Sequence, residues 1–344
     1  MIDDDRLVRA EALPYRLPLA RPWISSHGRT LERRGWLIRL VTADGRVGWG
    51  DCAPLVEVGT ETHAHAGRYL RNVLPVLTGE DPEPSAPPAS ACALDTALCD
   101  LAAQAEGLPL HRWLDPGGNG RVDVNAAVGA LDADVQRRID EALAAGYRLV
   151  KIKLGVRPWR DELDTLRRIA AGNGGRLRLR LDANQAWTLP VARAMIHYLN
   201  DLPVESLEEP LRQFDPVALR QLQALSTFPL ALDESVRLLG TLPVPVERLV
   251  LKPMALGGLR NCLRIAGASG AAQCIVTSSL ESAVGVTACA HLAAAMGNGL
   301  AHGLATSAWL AGDVATTPAI HNGAMCLSDA ASGLGLPDIV SAGS

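Results

Sequence analysis

No CxxC pair occurs in this 344-residue chain, and its seven cysteines, at 52, 92, 99, 262, 274, 289 and 326, are odd in number. That is no sign of a disulfide framework. Reduced, mostly buried thiols and a reducing cytoplasm are expected instead. Positive charge is also short: 33 Lys and Arg stand against 37 Asp and Glu, a formal net charge of -4. Nothing in that balance draws the chain to nucleic acid, and the Arg-rich pieces LERRG and QRR are short, as on a solvated surface. Long apolar runs are missing too. The most apolar late stretch, VGVTACAHLAAAM, is short and carries His291, so it reads as a buried helix with a satisfied core histidine. The opening MIDDDRLVRAEAL is acidic and lacks an apolar centre, and is not expected to be a signal peptide. What is present is ordinary globular composition, 48% apolar and 20% charged, with length for a large core and one or two domains.

Strand-like runs fill the first part, LVRAEALPYRLPL and then RGWLIRLVTADGRVGWGDCAPL, with Asp44-Gly45 marking a hairpin between two alternating runs. THAHAGRYLRNVLPVL has helical spacing, EDPEPSAPPAS is a proline-rich loop, and ACALDTALCDLAAQAEG is helical again. From about residue 121 a strand-then-helix rhythm sets in. Its strands are VDVNAAV, YRLVKIKLG, LRLRLDAN, VESLEEP, PLALDES, RLVLKP and QCIVTSS, with a weak last one near HGLATSA. Helical stretches separate them, except after LDES, where VRLLGTLPVP is too short for a good helix. Seven or eight such units predict an α/β barrel. An open doubly wound sheet would carry a glycine-rich phosphate loop after its first strand, and VNAAVGALDAD has none.

Polar groups gather where these strands end: Lys151 and Lys153, then Asp182 and Asn184, Glu208 and Glu209, Asp233 and Glu234, Lys252, and finally Ser278, Ser279 and Glu281. Lys151 and Lys153 are two apart in a strand and share a face. Asp182, Glu208 and Asp233 are spaced by 26 and 25 residues, each about one βα unit, so three carboxylates meet at the barrel mouth. They repel one another unless a cation lies between them. An all-oxygen set suits Mg²⁺, with Mn²⁺ as a substitute. Lys153 and Lys252 approach from opposite sides, and a lysine with lowered pKa beside a metal can serve as a base. Lys151, one layer deeper, is expected to hydrogen-bond a metal-binding carboxylate and hold its neighbour's pKa down. Singly, each residue reads as a turn, a cap or a solvated charge; one set per successive strand does not. Trp187 is expected to pack, and His27, His302 and His321 have no metal-site spacing.

KIKLG, LRLDANQAWT, SLEEP, LALDES, VLKPMALGGL and IVTSSLES resemble the enolase superfamily, in its muconate-cycloisomerase-like subgroup, over nearly the whole chain. The resemblance implies a modified (β/α)7β TIM-type barrel at 116–315. Beside it stands an α+β capping domain at 1–115, with lid loops near 21–30 and 54–66, and residues 316–344 return to that cap. It implies Lys153 as general acid/base, Lys252 as the opposed lysine, and Asp182, Glu208 and Asp233 as Mg²⁺ ligands. Lys151, Asn184, Glu209 and Glu234 support them. Ser278, Ser279, Glu281 and, from the cap, Arg29 are candidates for holding substrate.

Within the subgroup the chain is most similar to the o-succinylbenzoate synthases, through LDANQAWT, LEEPLR, LDES and TSSLESAVGVTACAHLAA. That similarity implies Mg²⁺-dependent syn dehydration of 2-succinyl-6-hydroxy-2,4-cyclohexadiene-1-carboxylate to 2-succinylbenzoate, in menaquinone biosynthesis, through a metal-stabilised enediolate. The implied partner is a small carboxylate in the cytoplasm, with neither nucleic acid nor membrane; oligomeric state is left open. The same lysines imply N-acylamino acid racemisation as an alternative or side activity and, more distantly, dipeptide epimerisation or muconate cycloisomerisation. Dipeptide epimerases usually carry Asp-x-Asp at the end of the eighth strand, where GLATSAWL (303–310) has no acidic residue. A non-catalytic metal-binding barrel would have no use for two lysines aimed at three carboxylates.

Overall fold

Alternating residues in the first fifty positions build an antiparallel meander of β1 (Leu7–Ser25), β2 (Gly28–Thr42) and β3 (Val47–Cys52). This is a computed structural model that describes residues 5–340 apart from Ser26, His27, Thr78 and Pro84; for 23–25, 28 and 29 it describes the backbone alone. The Asp44-Gly45 signal does mark the β2–β3 turn, where Gly45 takes a left-handed φ of 91°. The expected lid near 21–30 spans a hairpin end. Trp23 pairs with Thr30, Ile24 with Arg29 and Ser25 with Gly28, so ladder bonds replace irregular backbone on both sides of Ser26 and His27. The side chain of Arg29 lies outside the described residues.

Helices α1 (His63–Val73), α2 (Pro88–Ala105) and α3 (Leu110–Leu114) complete the first part. Helix α2 lies on β3 so closely that a Cβ at Gly48 or Gly50 would run into the carbonyl oxygens of Ala97 or Ala93. Only glycine admits that approach.

After the short β4 (Arg121–Asp123), seven strands form one parallel sheet in sequence order. They are β5 (Ala126–Ala130), β6 (Leu149–Lys153), β7 (Arg178–Asp182), β8 (Val204–Glu208), β9 (Leu230–Leu232), β10 (Arg248–Leu251) and β11 (Gln273–Val276). Helices α4 (Val135–Ala144), α5 (Trp159–Asn173), α6 (Leu189–Leu199) and α7 (Pro216–Leu225) follow the first four strands. As the short VRLLGTLPVP implied, β9 is followed only by a 3₁₀ turn, Glu234–Leu238. Helices α8 (Pro253–Leu256) and α9 (Leu259–Ala268) follow β10, and α10 (Ala283–Met296) follows β11.

The weak last strand is reduced to two bridge residues. Gly303 pairs parallel with Thr277 and His302 with Val124, which closes the ring. The chain then forms the hairpin β12 (Ile320–His321) and β13 (Ala324–Cys326), which pairs with β4, and Gly333 bridges Pro109. Trp187 is buried in the core. His291 is buried within α10, accepting from His111 N–H at 3.0 Å and meeting the Leu334 carbonyl at 3.2 Å; burial pushes its pKa down to about 3. All seven cysteines are free, and only Cys326 is exposed. Among the described residues no helix is long and apolar enough to cross a membrane.

A buried ion trio lies below the strand ends. Arg180 Nε donates to Glu205 Oε2 at 3.0 Å, Arg248 pairs with Glu205 Oε1, and Ser206 Oγ donates to Glu205 Oε2 at 2.7 Å. Burial works against the Glu205 charge, but Arg180 and Arg248 outweigh it and hold the carboxyl at about 2, below its ordinary 4.5. Its stabilisation is therefore complete above pH ~4.5 and is lost as pH falls through ~2. Glu205→Gln leaves two buried guanidiniums without a counter-charge. It is expected to cost about 3–5 kcal/mol, read as a fall in the urea midpoint at neutral pH.

Candidate active site

In-register pairing sets the site. Lys153 lies opposite Asp182 across β6 and β7, and Asp182 opposite Glu208 across β7 and β8. Directly paired residues project to the same face, so these three side chains form a row at the strand ends. Asp233 and Lys252 each stand one residue beyond β9 and β10. The three carboxylate residues are 2, 1 and 7% exposed. Their charges would be untenable there without nearby cations.

Lys151 Nζ is 3.0 Å from Asp182 Oδ2 and donates to Glu208 Oε2. Lys252 Nζ donates to Asp233 Oδ2 at 2.6 Å and is 3.7 Å from Glu234 Oε1. Burial alone would lower both ammonium pKa values. For Lys151 the charges of Asp182, Glu208 and Asp233 prevail, and for Lys252 those of Asp233 and Glu234, so both are held well above the ordinary lysine range. At both positions the carboxylates outweigh desolvation. Asp182 is held low because Lys151 and Lys153 outweigh its burial. Glu208 is pushed up to about 7, by burial first and then by Asp182 and Asp233, against the pull of Lys151.

The flanking residues hold the backbone. Asn184 and Glu209 both take φ of 43°, a strained region for non-glycine residues, just past β7 and β8. Asn184 N–H donates to Asp182 Oδ1 at 3.0 Å. Glu209 reaches across to the next strand end, accepting from Asp233 N–H at 2.7 Å, Ser235 N–H at 2.8 Å and Ser235 Oγ at 2.8 Å. Glu234 Oε2 is buried without a hydrogen-bond partner among the described residues.

The substrate-binding candidates fare unevenly. The Ser278 hydroxyl lies 3.1 Å from the Gly303 carbonyl and 2.7 Å from Thr306 Oγ1. Ser279 Oγ is buried and lacks a partner among the described residues. Glu281 accepts from Ser279 N–H and lines a cavity with Asp51, Cys92, Pro253 and Cys289, between α2 and α10. The cleft beside Lys252, about 250 Å³ with its open mouth, is lined by Val58, Asp233, Glu234, Arg237 and Leu256 as well. Val58 comes from the expected lid at 54–66.

Two cap residues escaped the sequence reading. Arg33, read as surface within LERRG, is 4% exposed. Its guanidinium donates to the carbonyls of Ala53 at 2.7 Å, Pro54 at 3.2 Å and Leu280 at 3.1 Å, which together satisfy it in the interior. Asp51 accepts from Tyr15 OH and from both the N–H and hydroxyl of Ser282, each at 2.8 Å. Both join the meander to the segment after β11, and neither has a local sequence signature.

As they stand, the carboxylates face the lysines, and among the described residues no group of three His, Cys, Asp or Glu side chains is gathered tightly enough to hold a metal ion. The donor chemistry nonetheless fits a hard divalent cation. Asp182, Glu208 and Asp233 supply only oxygens at adjacent strand ends, and Glu208 feels the repulsion of the other two.

Comparison with known proteins agrees with this architecture. Residues 8–101 match the family described as MenC, N-terminal domain. The chain is 26% identical over 318 residues to the L-Ala-D/L-Glu epimerase of Bacillus subtilis, covering 85% of this chain and 86% of that protein. It is 33% identical over 273 residues to the hydrophobic dipeptide epimerase of Roseobacter litoralis, covering 74% and 78%. The structure of the dipeptide epimerase from Methylococcus capsulatus, complexed with Mg and the dipeptide L-Arg-D-Lys, superposes with a TM-score of 0.85 at 27% identity, over 96% of this chain and 99% of that one. Residues 134–337, from the first turn of α4 past the C-terminal hairpin, match the family described as Enolase C-terminal domain-like, and the chain belongs to the enolase superfamily.

Proposed function

We propose that this enzyme is an o-succinylbenzoate synthase. It removes water from 2-succinyl-6-hydroxy-2,4-cyclohexadiene-1-carboxylate, with Mg²⁺, or Mn²⁺ in its place, held by Asp182, Glu208 and Asp233. When bound there, the cation would supply positive charge to offset the anion that develops on the ring carboxylate. Lys153 takes that proton and delivers it to the hydroxyl leaving the adjacent carbon. One group on one face thus serves as base and acid, and the ring becomes aromatic. Lys252, an ammonium paired with Asp233, balances the anion from the other side, in reach of the ring's π face. Lys151 orients Asp182 and Glu208, and Glu209 fixes the backbone of Asp233. The partner is a small carboxylate, with neither nucleic acid nor membrane, in the cytoplasm.

The observation that carries this reading is the cap. Residues 8–101 match the MenC N-terminal domain, and the cap lends Val58 to the cleft that contains Asp233 and Lys252. The end of the eighth strand supports it. Residues 303–310 offer no carboxylate to a free amine, and Asp313 just beyond accepts from the N–H groups of Ala283 and Val314 at 2.9 and 2.7 Å. A dipeptide ammonium would lack a counter-charge there. N-acylamino acid racemisation is a second reading, favoured by lysines on β6 and after β10 that flank one carboxylate cluster. An acylated nitrogen needs no such counter-charge.

The test offers the cyclohexadiene carboxylate and a panel of N-acylamino acids to the purified protein with Mg²⁺. Efficient dehydration is expected, lost on chelation without loss of circular dichroism and restored by added Mg²⁺. Negligible kcat/KM for dehydration beside a high value for an N-acylamino acid would overturn the synthase reading.

A further inference from the structure

The cleft holds one cation that the chemistry above does not use. Arg237 lies on the 3₁₀ turn Glu234–Leu238, where the barrel lacks a helix. The missing helix leaves this turn at the mouth, and Arg237 lines the cleft with Asp233, Lys252 and Val58. Its guanidinium rests against Gly59 of the cap, whose φ is 95°; a Cβ there would collide with Arg237 Nη1. Cap backbone therefore backs the guanidinium on one side and leaves its other side to the cleft.

Several arginines beside carboxylates in this fold are paired: Arg260 with Asp81 and Asp95, Arg180 and Arg248 with Glu205. Arg237 makes no ion pair among the described residues. Glu234, the acid in the same cleft wall, has its Oε1 3.7 Å from Lys252 Nζ instead. An exposed guanidinium at a cleft wall, without an acid of its own, is a fitting receptor for a carboxylate, which it can bind through two parallel hydrogen bonds.

We propose that Arg237 sets substrate specificity by binding a second carboxylate, remote from the reacting carbon, at the end of a flexible acyl tail. The succinyl tail as ligand rests on the function proposed above; a site for a distal carboxylate does not. The reacting carboxylate and the distal one are then held by different walls, which fixes the ring between Lys153 and Lys252.

The test is binding, measured by calorimetry with Mg²⁺ present. Wild type, Arg237→Gln and Arg237→Lys are titrated with 2-succinylbenzoate and with its distal primary amide. N-succinylamino acids and their distal amides are titrated in parallel. Wild type is expected to prefer the acid of at least one pair by about 10- to 100-fold, the range of a charged hydrogen bond. Arg237→Gln should erase that preference while leaving amide affinity within about threefold, and Arg237→Lys should keep part of it. Equal binding of acid and amide by wild type in both series, a preference that survives in Arg237→Gln, or an equal loss for acid and amide would each overturn the proposal. Absence of dehydration by wild type overturns the synthase reading alone, because the N-succinyl series still reports on Arg237.

Discussion

Lys153→Ala is expected to lower kcat/KM for dehydration by about three orders of magnitude or more, and to stop exchange of the ring α proton with deuterium from solvent. A positioned general base supplies about 10²–10⁴, and here one group also serves as the acid, so both halves of the elimination lose their proton carrier. Lys151 cannot take over. It shares the strand face, but its ammonium is tied to Asp182 and Glu208 and held strongly protonated by them. The measurements are a continuous assay for the aromatic product and proton NMR of substrate recovered from D₂O. Retained affinity for 2-succinylbenzoate would show that the variant is folded and still binds. Near-normal dehydration would sink the mechanism.

Lys252 separates the two readings. In dehydration it acts only through its charge, so Lys252→Ala should cost about 10²–10³ in kcat, the scale of losing one electrostatic stabiliser. Lys252→Arg keeps the charge and should recover part of the rate. In racemisation, Lys252 must pass a proton to or from the α carbon, and a guanidinium does not deprotonate at working pH. Lys252→Arg should then be as dead as Lys252→Ala. Running both variants against the cyclohexadiene carboxylate and against an N-acylamino acid distinguishes a cation from a base. If arginine rescues neither reaction, the purely electrostatic role is wrong.

Lys153, Lys252 and the three carboxylates were legible in the sequence because each stands at the end of its own strand, and the period of a βα unit announces where strands end. Parity alone put Lys151 and Lys153 on one face, and the register across β6, β7 and β8 supplies the row that Lys153 belongs to. The missing helix after LDES was legible as shortness. The eighth strand was only a hint, since two bridge residues carry too little pattern to read. What stayed hidden depends on partners far along the chain. Arg33 is buried by carbonyls at 53, 54 and 280, and nothing adjacent to it in LERRG says so. Arg237 matters because of Gly59, on another domain. At 21–30 the lid followed from the family resemblance, while the hairpin there depends on pairing between β1 and β2.

The bond from Asp51 to Ser282 bears on how such enzymes diversify. Ser282 precedes α10, so a carboxylate of the cap braces the N-terminus of a barrel helix and complements its dipole. Arg33 meanwhile anchors to the carbonyl of Leu280, a residue held at φ 63° two positions earlier. The cap is thus part of the scaffold that shapes the last barrel loop, and it is not a detachable module. Grafting a foreign cap to change the substrate transplants a helix N-terminal brace and a loop brace along with the cleft-lining segment. A chimera that keeps residues 21–30 and 54–66 but breaks at residues 33 or 51 exchanges specificity at the expense of the barrel itself.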